Sequence, residues 1–303
     1  MRILITGGSG QVGTELLRIL RDMRSETNVL PKDYQNSSVD APLHEELDLT
    51  SFASIDNWMT NHKSYDLIIN SAALTDVDYC ELHEAEALRL NAMAVDRLAL
   101  YAQSQNTKLV QLSTDQIYKY NECFDYLEES APAMPVNAYG RSKLAGEVFA
   151  REDCNKSFIV RTSWVFGYKG NNFVKAIIRC AKETGKISVV GDQISNPTSA
   201  NDLADAILRL AVTENYGTYN FTNRPYCTKF EFAKKITTTL RIKCEKEELS
   251  TEEFIKRNPN SAPRPKHTIL APWNTEHVLG YIARDWETAL KQYLKNLPKL
   301  GED

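Results

Sequence analysis

Tyr139-Gly-Arg-Ser-Lys143 sets a phenol and an ammonium four residues apart. On a helix that spacing puts both on one face, where a fixed cation favours the ionised phenol. A free phenol titrates near ~10, too high to exchange protons readily at neutral pH, and the neighbouring charge lowers that value. The pair therefore suits proton donation to a ketone oxygen. Spacing alone carries little weight, because in a chain with 14 tyrosines about one such pair arises by chance. Upstream, the apolar run Leu109 to Leu112 ends in Ser113-Thr114-Asp115. Those hydroxyls could hydrogen-bond a substrate carbonyl or simply cap the following turn. Pro132 and Pro135 then interrupt the chain, and Asn137 is a residue type that starts helices.

The elements that must position these groups begin at the N-terminus. Residues 2 to 6 read as a buried strand, Gly7-Gly-Ser-Gly10-Gln11-Val12-Gly13 as a turn, and Leu16, Leu17 and Leu20 as one side of a helix. Glycines there let the backbone approach a pyrophosphate, and the helix start favours its charge. A second strand is expected near Asn28 to Lys32, with Pro31 keeping it short. Asp33 follows at the distance from the glycine turn where an acid reaches the ribose 2'-hydroxyl of NAD, and Lys32 beside it could accept a 2'-phosphate. NADH and NADPH thus both stay open.

Gln35 to Glu46 reads as a loop. Tyr65 to Ala73 reads as a strand whose small residues Ala72 and Ala73 leave room for a flat ligand, followed by one long helix through Ala85, Leu88, Asn91, Val95 and Leu98. Further strands are expected at Phe158 to Trp164 and Tyr216 to Phe221, and helices after Asn201-Asp202, near Phe230 to Leu240 and from about Trp286. This alternation predicts an α/β fold, a doubly wound parallel sheet of Rossmann type. The expected division is a dinucleotide-binding domain over 1–165, completed by part of 190–215, and a smaller α/β domain over 166–303 that mainly binds substrate.

The net charge of -4 comes from interspersed acids and bases, which argues against a nucleic-acid or membrane-surface binder and for a small-molecule ligand. No secretory leader is expected, and no apolar run approaches the ~20 residues of a membrane span. Cysteines 80, 123, 154, 180, 227 and 244 form no Cys-x-x-Cys, so reduced thiols in a cytoplasmic protein are expected and no metal site is indicated.

Together these pieces resemble the extended short-chain dehydrogenase/reductase family, and within it the dTDP-4-dehydrorhamnose reductases. The likeness runs through the glycine turn, Asp48-Leu49-Thr, Asn70-Ser-Ala-Ala-Leu-Thr-Asp-Val-Asp78, Ser113-Thr-Asp115, and Asn137 to Glu147. It continues through Val160 to Gly167, Asn171-Asn-Phe173, Asp192 to Thr198 and Pro263-Arg-Pro265. The resemblance implies reduction of the C4 ketone of a dTDP-4-keto-6-deoxy sugar by NADH or NADPH. It assigns the pyrophosphate to residues around Gly10 to Val12, the adenine side to Asp48 and Leu49, and the cofactor crevice to Ala72 and Ala73. Tyr139, Lys143 and Thr114 would be catalytic; Ser113, Asp115, Trp164, Asn172 and Arg264 would bind substrate. An arginine fork suits a pyrophosphate and an indole suits a deoxy sugar, although an exposed arginine and a core tryptophan are the plainer readings of those two residues. Gln116-Ile-Tyr118 departs from the tyrosine, valine and phenylalanine usual in relatives, and Ser71 from alanine. Some relatives bind magnesium, but Glu15 alone gives no basis for a site. A homodimer is expected only because twofold oligomers are common. The competing readings are a nucleotide-sugar epimerase or epimerase/reductase, which would regenerate its bound NAD, and a non-catalytic regulatory subunit of methionine adenosyltransferase type.

Overall fold

A computed structural model describes residues 1–119 and 126–300; Cys123 lies outside them. In chain order the elements are β1 (Arg2–Thr6), α1 (Gln11–Asp22), β2 (Ser38–Asp40), α2 (Phe52–Asn61), β3 (Leu67–Asn70), α3 (Val77–Leu82), α4 (Glu84–Leu88), α5 (Ala94–Ser104), β4 (Lys108–Thr114) and α6 (Ala138–Asp153). They continue with β5 (Ser157–Thr162), β6 (Val165–Phe166), α7 (Phe173–Thr184), β7 (Lys186–Val190), β8 (Ile194–Ser195), β9 (Thr198–Ser199), α8 (Ala200–Ala211) and β10 (Gly217–Asn220). The last are β11 (Cys227–Thr228), α9 (Lys229–Thr239), β12 (Glu245–Leu249), α10 (Thr251–Arg257), α11 (Trp273–Leu279) and α12 (Trp286–Leu300).

Six strands form one parallel sheet in the order β10-β5-β4-β3-β1-β2. Its central strands carry continuous apolar runs, Ile3 to Ile5 in β1 and Leu67 to Ile69 in β3, because both faces are covered. Ile3, Ile5, Leu67, Ile69, Val110 and Phe158 face one core with α1 and α8. The alternate residues Leu4, Ile68, Leu109 and Ile159 face a second core with α2 and α5, as the two-residue period of a strand requires. A third core, built around Phe166, Phe232, Trp286 and Tyr293, packs α7, α9 and α12. Each large apolar side chain so buried contributes on the order of 2 kcal/mol.

Strand order reverses between β1 and β3, so their carboxyl ends part and open a crevice there. The glycine turn lies at the end of β1, Ser71-Ala-Ala at the end of β3 and Ser113-Thr114 at the end of β4.

Two expected elements differ. The second strand is β2, inside the stretch read as a loop, while Asn28 to Pro31 is irregular apart from a bridge between Val29 and Arg24 and Lys32 opens a 3-10 turn. Only three residues long and partly exposed, β2 carries almost no apolar pattern to read. The single long helix through Ala85 to Leu98 is interrupted by a π turn over Arg89–Met93, which divides it into α4 and α5. Asn91 in that turn accepts from Leu74 N–H at 2.8 Å and donates to Leu74 O and Ser142 Oγ, each at 3.0 Å. It thereby ties the loop after β3 to α6, and π turns recur where a helix serves such a purpose.

Candidate active site

The cofactor side of the crevice is made by backbone. Gly10 N–H donates to Gly7 O at 3.0 Å, closing the turn ahead of α1. A Cβ on Gly13 would stand 2.2 Å from Gly7 O, so no larger residue lets α1 pack against the turn. Beside the turn lies a cavity of about 290 Å³, lined by Gly7, Gly10, Leu49, Ala72 and Ala73 among others. A second, of about 300 Å³, shares Gly10, Ser71 and Ala73 with it and adds Gln11, Val12, Tyr139 and Lys143. A third, of about 320 Å³, shares Gln11, Ser113, Tyr139 and Thr162 with the second and continues to Asp115, Trp164 and Arg264. The three form one continuous cleft, from the glycine turn past Tyr139 to Arg264.

Tyr139 and Lys143 meet in the middle cavity because α6 starts there. Asn137 caps α6, accepting from Gly140 N–H at 2.8 Å, while its amide donates to Gln116 Oε1 at 3.1 Å and Pro263 O at 2.9 Å. One side chain thus fixes α6, the turn after β4 and the Pro263-Arg264-Pro265 segment together. Gly140 permits the contact: a Cβ there would come within 2.2 Å of Gln116 O.

The electrostatics correct one expectation. The phenol pKa of Tyr139 lies above its ordinary value in the free protein, not below it. Burial raises it, and the Asp115 and Cys80 charges add to that, against a hydrogen bond with Thr114. Tyr139 consequently starts protonated, the form a proton donor needs. Lys143 is itself 3% exposed, and burial brings its ammonium down to about 8 against the opposing charge of Glu147. Glu147 is taken up by Arg161 at 2.6 Å, so the ammonium has no hydrogen-bond acceptor among the described residues.

Thr114 caps the turn, one of the two expected readings of its hydroxyl, by accepting from Gln116 N–H at 3.2 Å, and it also hydrogen-bonds Tyr139. Asp115 is buried and accepts from Thr268, and from Ser195 Oγ and Thr114 Oγ1 at 3.2 Å each; burial raises its pKa. Trp164 lines the substrate cavity with φ at +40°, a conformation rare for a bulky residue and most often found at functional sites. Arg264 donates to Asp78 at 2.8 Å.

Three assigned residues stand apart from the cleft. Asp33 is exposed on a 3-10 turn ahead of β2 rather than at the end of a strand, a consequence of the misplaced strand. Asp48 accepts from Thr50 N–H at 2.8 Å and Oγ1 at 2.7 Å, and its neighbour Leu49 supplies the cavity wall. Asn172 caps α7 through Lys175 N–H at 3.0 Å and donates to Gln11 Oε1 at 3.0 Å, while Asn171 lines the middle cavity. Missed altogether were Thr162, Lys229 and Thr268. Thr162 ends strand β5, Lys229 opens α9 and Thr268 lies in irregular chain, and only a capping pattern, Thr228 to Glu231, marks the place of Lys229.

The hydroxyls of Ser113 and Thr162 are buried with no hydrogen-bond partner among the described residues, and both face the junction of the two inner cavities. Orphaned polar groups beside a phenol, an ammonium and a glycine turn fit a nicotinamide ribose and a reacting carbonyl. The fold and this cleft define a dinucleotide-dependent oxidoreductase of the extended short-chain dehydrogenase/reductase class.

Comparison with known proteins narrows that class. Residues 1–298 match the family model of the RmlD substrate binding domain. The spore coat polysaccharide biosynthesis protein SpsK of Bacillus subtilis is 32% identical over 294 residues, covering 97% of each chain. The dTDP-4-dehydrorhamnose reductase of Aggregatibacter actinomycetemcomitans is 34% identical, covering 96% of this chain and 97% of its own. A solved structure of the Bacillus anthracis dTDP-4-dehydrorhamnose reductase in complex with NADP superposes with a TM-score of 0.86 at 37% identity, covering 97% and 99% of the two chains. The chain belongs to the dTDP-4-dehydrorhamnose reductase family of NAD(P)H-dependent oxidoreductases.

No helix among the described residues is long and apolar enough to cross a membrane, and no group of three or more His, Cys, Asp or Glu among them could hold a metal ion. The Glu15 carboxylate is engaged by Arg18 and Asn201.

Proposed function

We propose that this chain reduces the C4 ketone of dTDP-4-dehydro-L-rhamnose to dTDP-L-rhamnose, using NADPH or NADH, in a cytoplasmic route to polysaccharide. The observation that carries the reading is the position of Tyr139, shared by the cavity next to the glycine turn and the cavity that ends at Arg264. A proton donor at that seam serves a reaction between a dinucleotide on one side and a nucleotide sugar on the other.

The bound reduced nicotinamide supplies a hydride to C4. Tyr139, protonated at the start, gives its proton to the ketone oxygen. Thr114, hydrogen-bonded to Tyr139, stabilises the oxygen as charge develops on it. The Lys143 ammonium holds the cofactor ribose and favours the phenolate left after proton transfer. Ser113, Asp115 and the face of Trp164 orient the sugar, and Arg264 grips the nucleotide end. The glycine turn, with Gln11 and Val12, holds the pyrophosphate of the cofactor. In this reading residues 1–165, with α8 and β10, form the cofactor-binding part and most of the remainder forms the substrate-binding part. The five described cysteines are all free thiols, in keeping with a reducing compartment, and a homodimer is the assembly we expect.

The test supplies dTDP-4-dehydro-L-rhamnose with NADH and NADPH in turn and follows loss of reduced-nicotinamide absorbance. Stoichiometric oxidation yielding dTDP-L-rhamnose is expected, and the faster coenzyme identifies the preference. No oxidation by folded protein that binds cofactor would contradict the proposal.

A further inference from the structure

Among the cleft residues to which the proposed reaction gives no task is a cation, Lys229. Lys229 is the first residue of α9, capped by Thr228 and Glu231. A cation in the first turn opposes the helix dipole, so α9 gains nothing from it. Its side chain lines the substrate cavity, with the ammonium 5.5 Å from the centre of the Trp164 ring.

Among the described residues that ammonium has neither a hydrogen-bond acceptor nor an ion pair. The two carboxylates whose charge it feels are committed elsewhere. Asp115 accepts from Thr268, Ser195 and Thr114, and Asp78 accepts from Arg264 and from Ala262 N–H at 2.7 Å. Burial, and then the charge of Arg264, brings the ammonium down to about 8. Two cations that repel each other across one cleft, Arg264 paired with Asp78 and Lys229 without a negative partner among the described residues, make a site for an anion carrying more than one charge. Arg264 already commits one nitrogen, and with it part of its charge, to Asp78 and to Ala262 O, so the charge of a diphosphate calls for a second cation.

We infer that Lys229 is the second cation of a diphosphate subsite, neutralising the phosphate next to the sugar while Arg264 holds the one next to the nucleoside. The inference rests on the nucleotide-sugar reading above. Its contact with Trp164, the proposed sugar platform, places Lys229 at the sugar end. It makes Lys229 the residue that distinguishes nucleoside diphosphates from monophosphates.

The experiment titrates dTDP and dTMP calorimetrically into cofactor-loaded wild type, Lys229→Met and Lys229→Arg. A charged hydrogen bond lost from a partly buried site weakens binding on the order of tenfold or more. That loss is expected for dTDP in Lys229→Met, with dTMP changed less than about twofold, cofactor binding retained and much of the loss recovered in Lys229→Arg. With the keto sugar as substrate, the loss in kcat/KM should reside in KM. Unchanged dTDP affinity in Lys229→Met would overturn the inference and leave the reductase reading intact. An equal loss for dTDP and dTMP would also overturn it, because the phosphate next to the sugar would then not be what Lys229 reads. Failure of wild type to bind dTDP would remove the nucleotide-sugar reading and the inference together.

Discussion

The two halves of the cleft are built in different ways. The cofactor half is a backbone surface made by consecutive residues: Gly7 to Gly13 close one turn, and Ala72 and Ala73 lie at the neighbouring strand end. The substrate half is a side-chain surface assembled from Asp115, Tyr139, Trp164, Lys229 and Arg264, which come from five separate segments. A backbone cradle depends on steric permission, such as the 2.2 Å approach that Gly13 allows. A side-chain cleft depends on charge and on pieces that fix distant segments, such as Asn137 bridging Gln116 and Pro263. Damage to the first should weaken cofactor binding alone, damage to the second substrate binding alone, and only residues at the seam should stop chemistry while sparing both.

Tyr139→Phe breaks the seam and has the largest expected effect: turnover falls ~100-fold or more, the usual scale for a lost general acid. Equilibrium titrations should show cofactor and dTDP affinities within about twofold of wild type, since only one hydroxyl is removed. Retained turnover would take Tyr139 out of the mechanism.

Gly13→Ala tests the backbone half. The added methyl must displace Gly7 O or push α1 outward, so fluorescence titration should show reduced-cofactor affinity down ~10-fold or more, with dTDP affinity preserved. Parallel losses would mean that the two halves are not separable.

The smallest expected effect sharpens the role of Lys143. With its ammonium at about 8 in the free protein, kcat/KM for the reduced cofactor should fall roughly fourfold between pH 7 and pH 8.5 as the proton is lost. Stability should move the other way. Because the folded value lies below the ordinary 10.5, the unfolded chain binds more protons between the two values, and the lysine contributes increasing stability as pH rises from about 8 towards 10.5. A rate profile flat through pH 8.5 would show that the charge of Lys143 is not needed for cofactor capture.

Much of the architecture was legible in the chain, for reasons that follow from the same contrast. Strands β1, β3 and β5 are buried on both faces and carry continuous apolar runs at Ile3 to Ile5, Leu67 to Ile69 and Phe158 to Val160, and the glycine turn is contiguous. Strand β2 was not legible because three half-exposed residues leave no pattern, and the error moved Asp33 into a role that its exposed 3-10 turn does not support. The π turn at Asn91 was hidden because its cause lies in Leu74 and Ser142. Tyr139 and Lys143 were visible as a pair, but the upward shift of the phenol was not, since burial is a property of the assembled cleft. Lys229 looked like one more charge at a helix start. Only the fold reveals that it shares a cavity with Trp164 and Arg264.

The central claim is that the cleft joins a reduced nicotinamide to a 4-keto nucleotide sugar at Tyr139. It is tested most directly by supplying cofactor deuterated at the transferable C4 position together with dTDP-4-dehydro-L-rhamnose and analysing the product by mass spectrometry and NMR. The account predicts dTDP-L-rhamnose carrying deuterium at C4 of the sugar, with one cofactor oxidised per sugar reduced. Product without deuterium at that carbon, or sugar isomerised with no net cofactor oxidation, would contradict it.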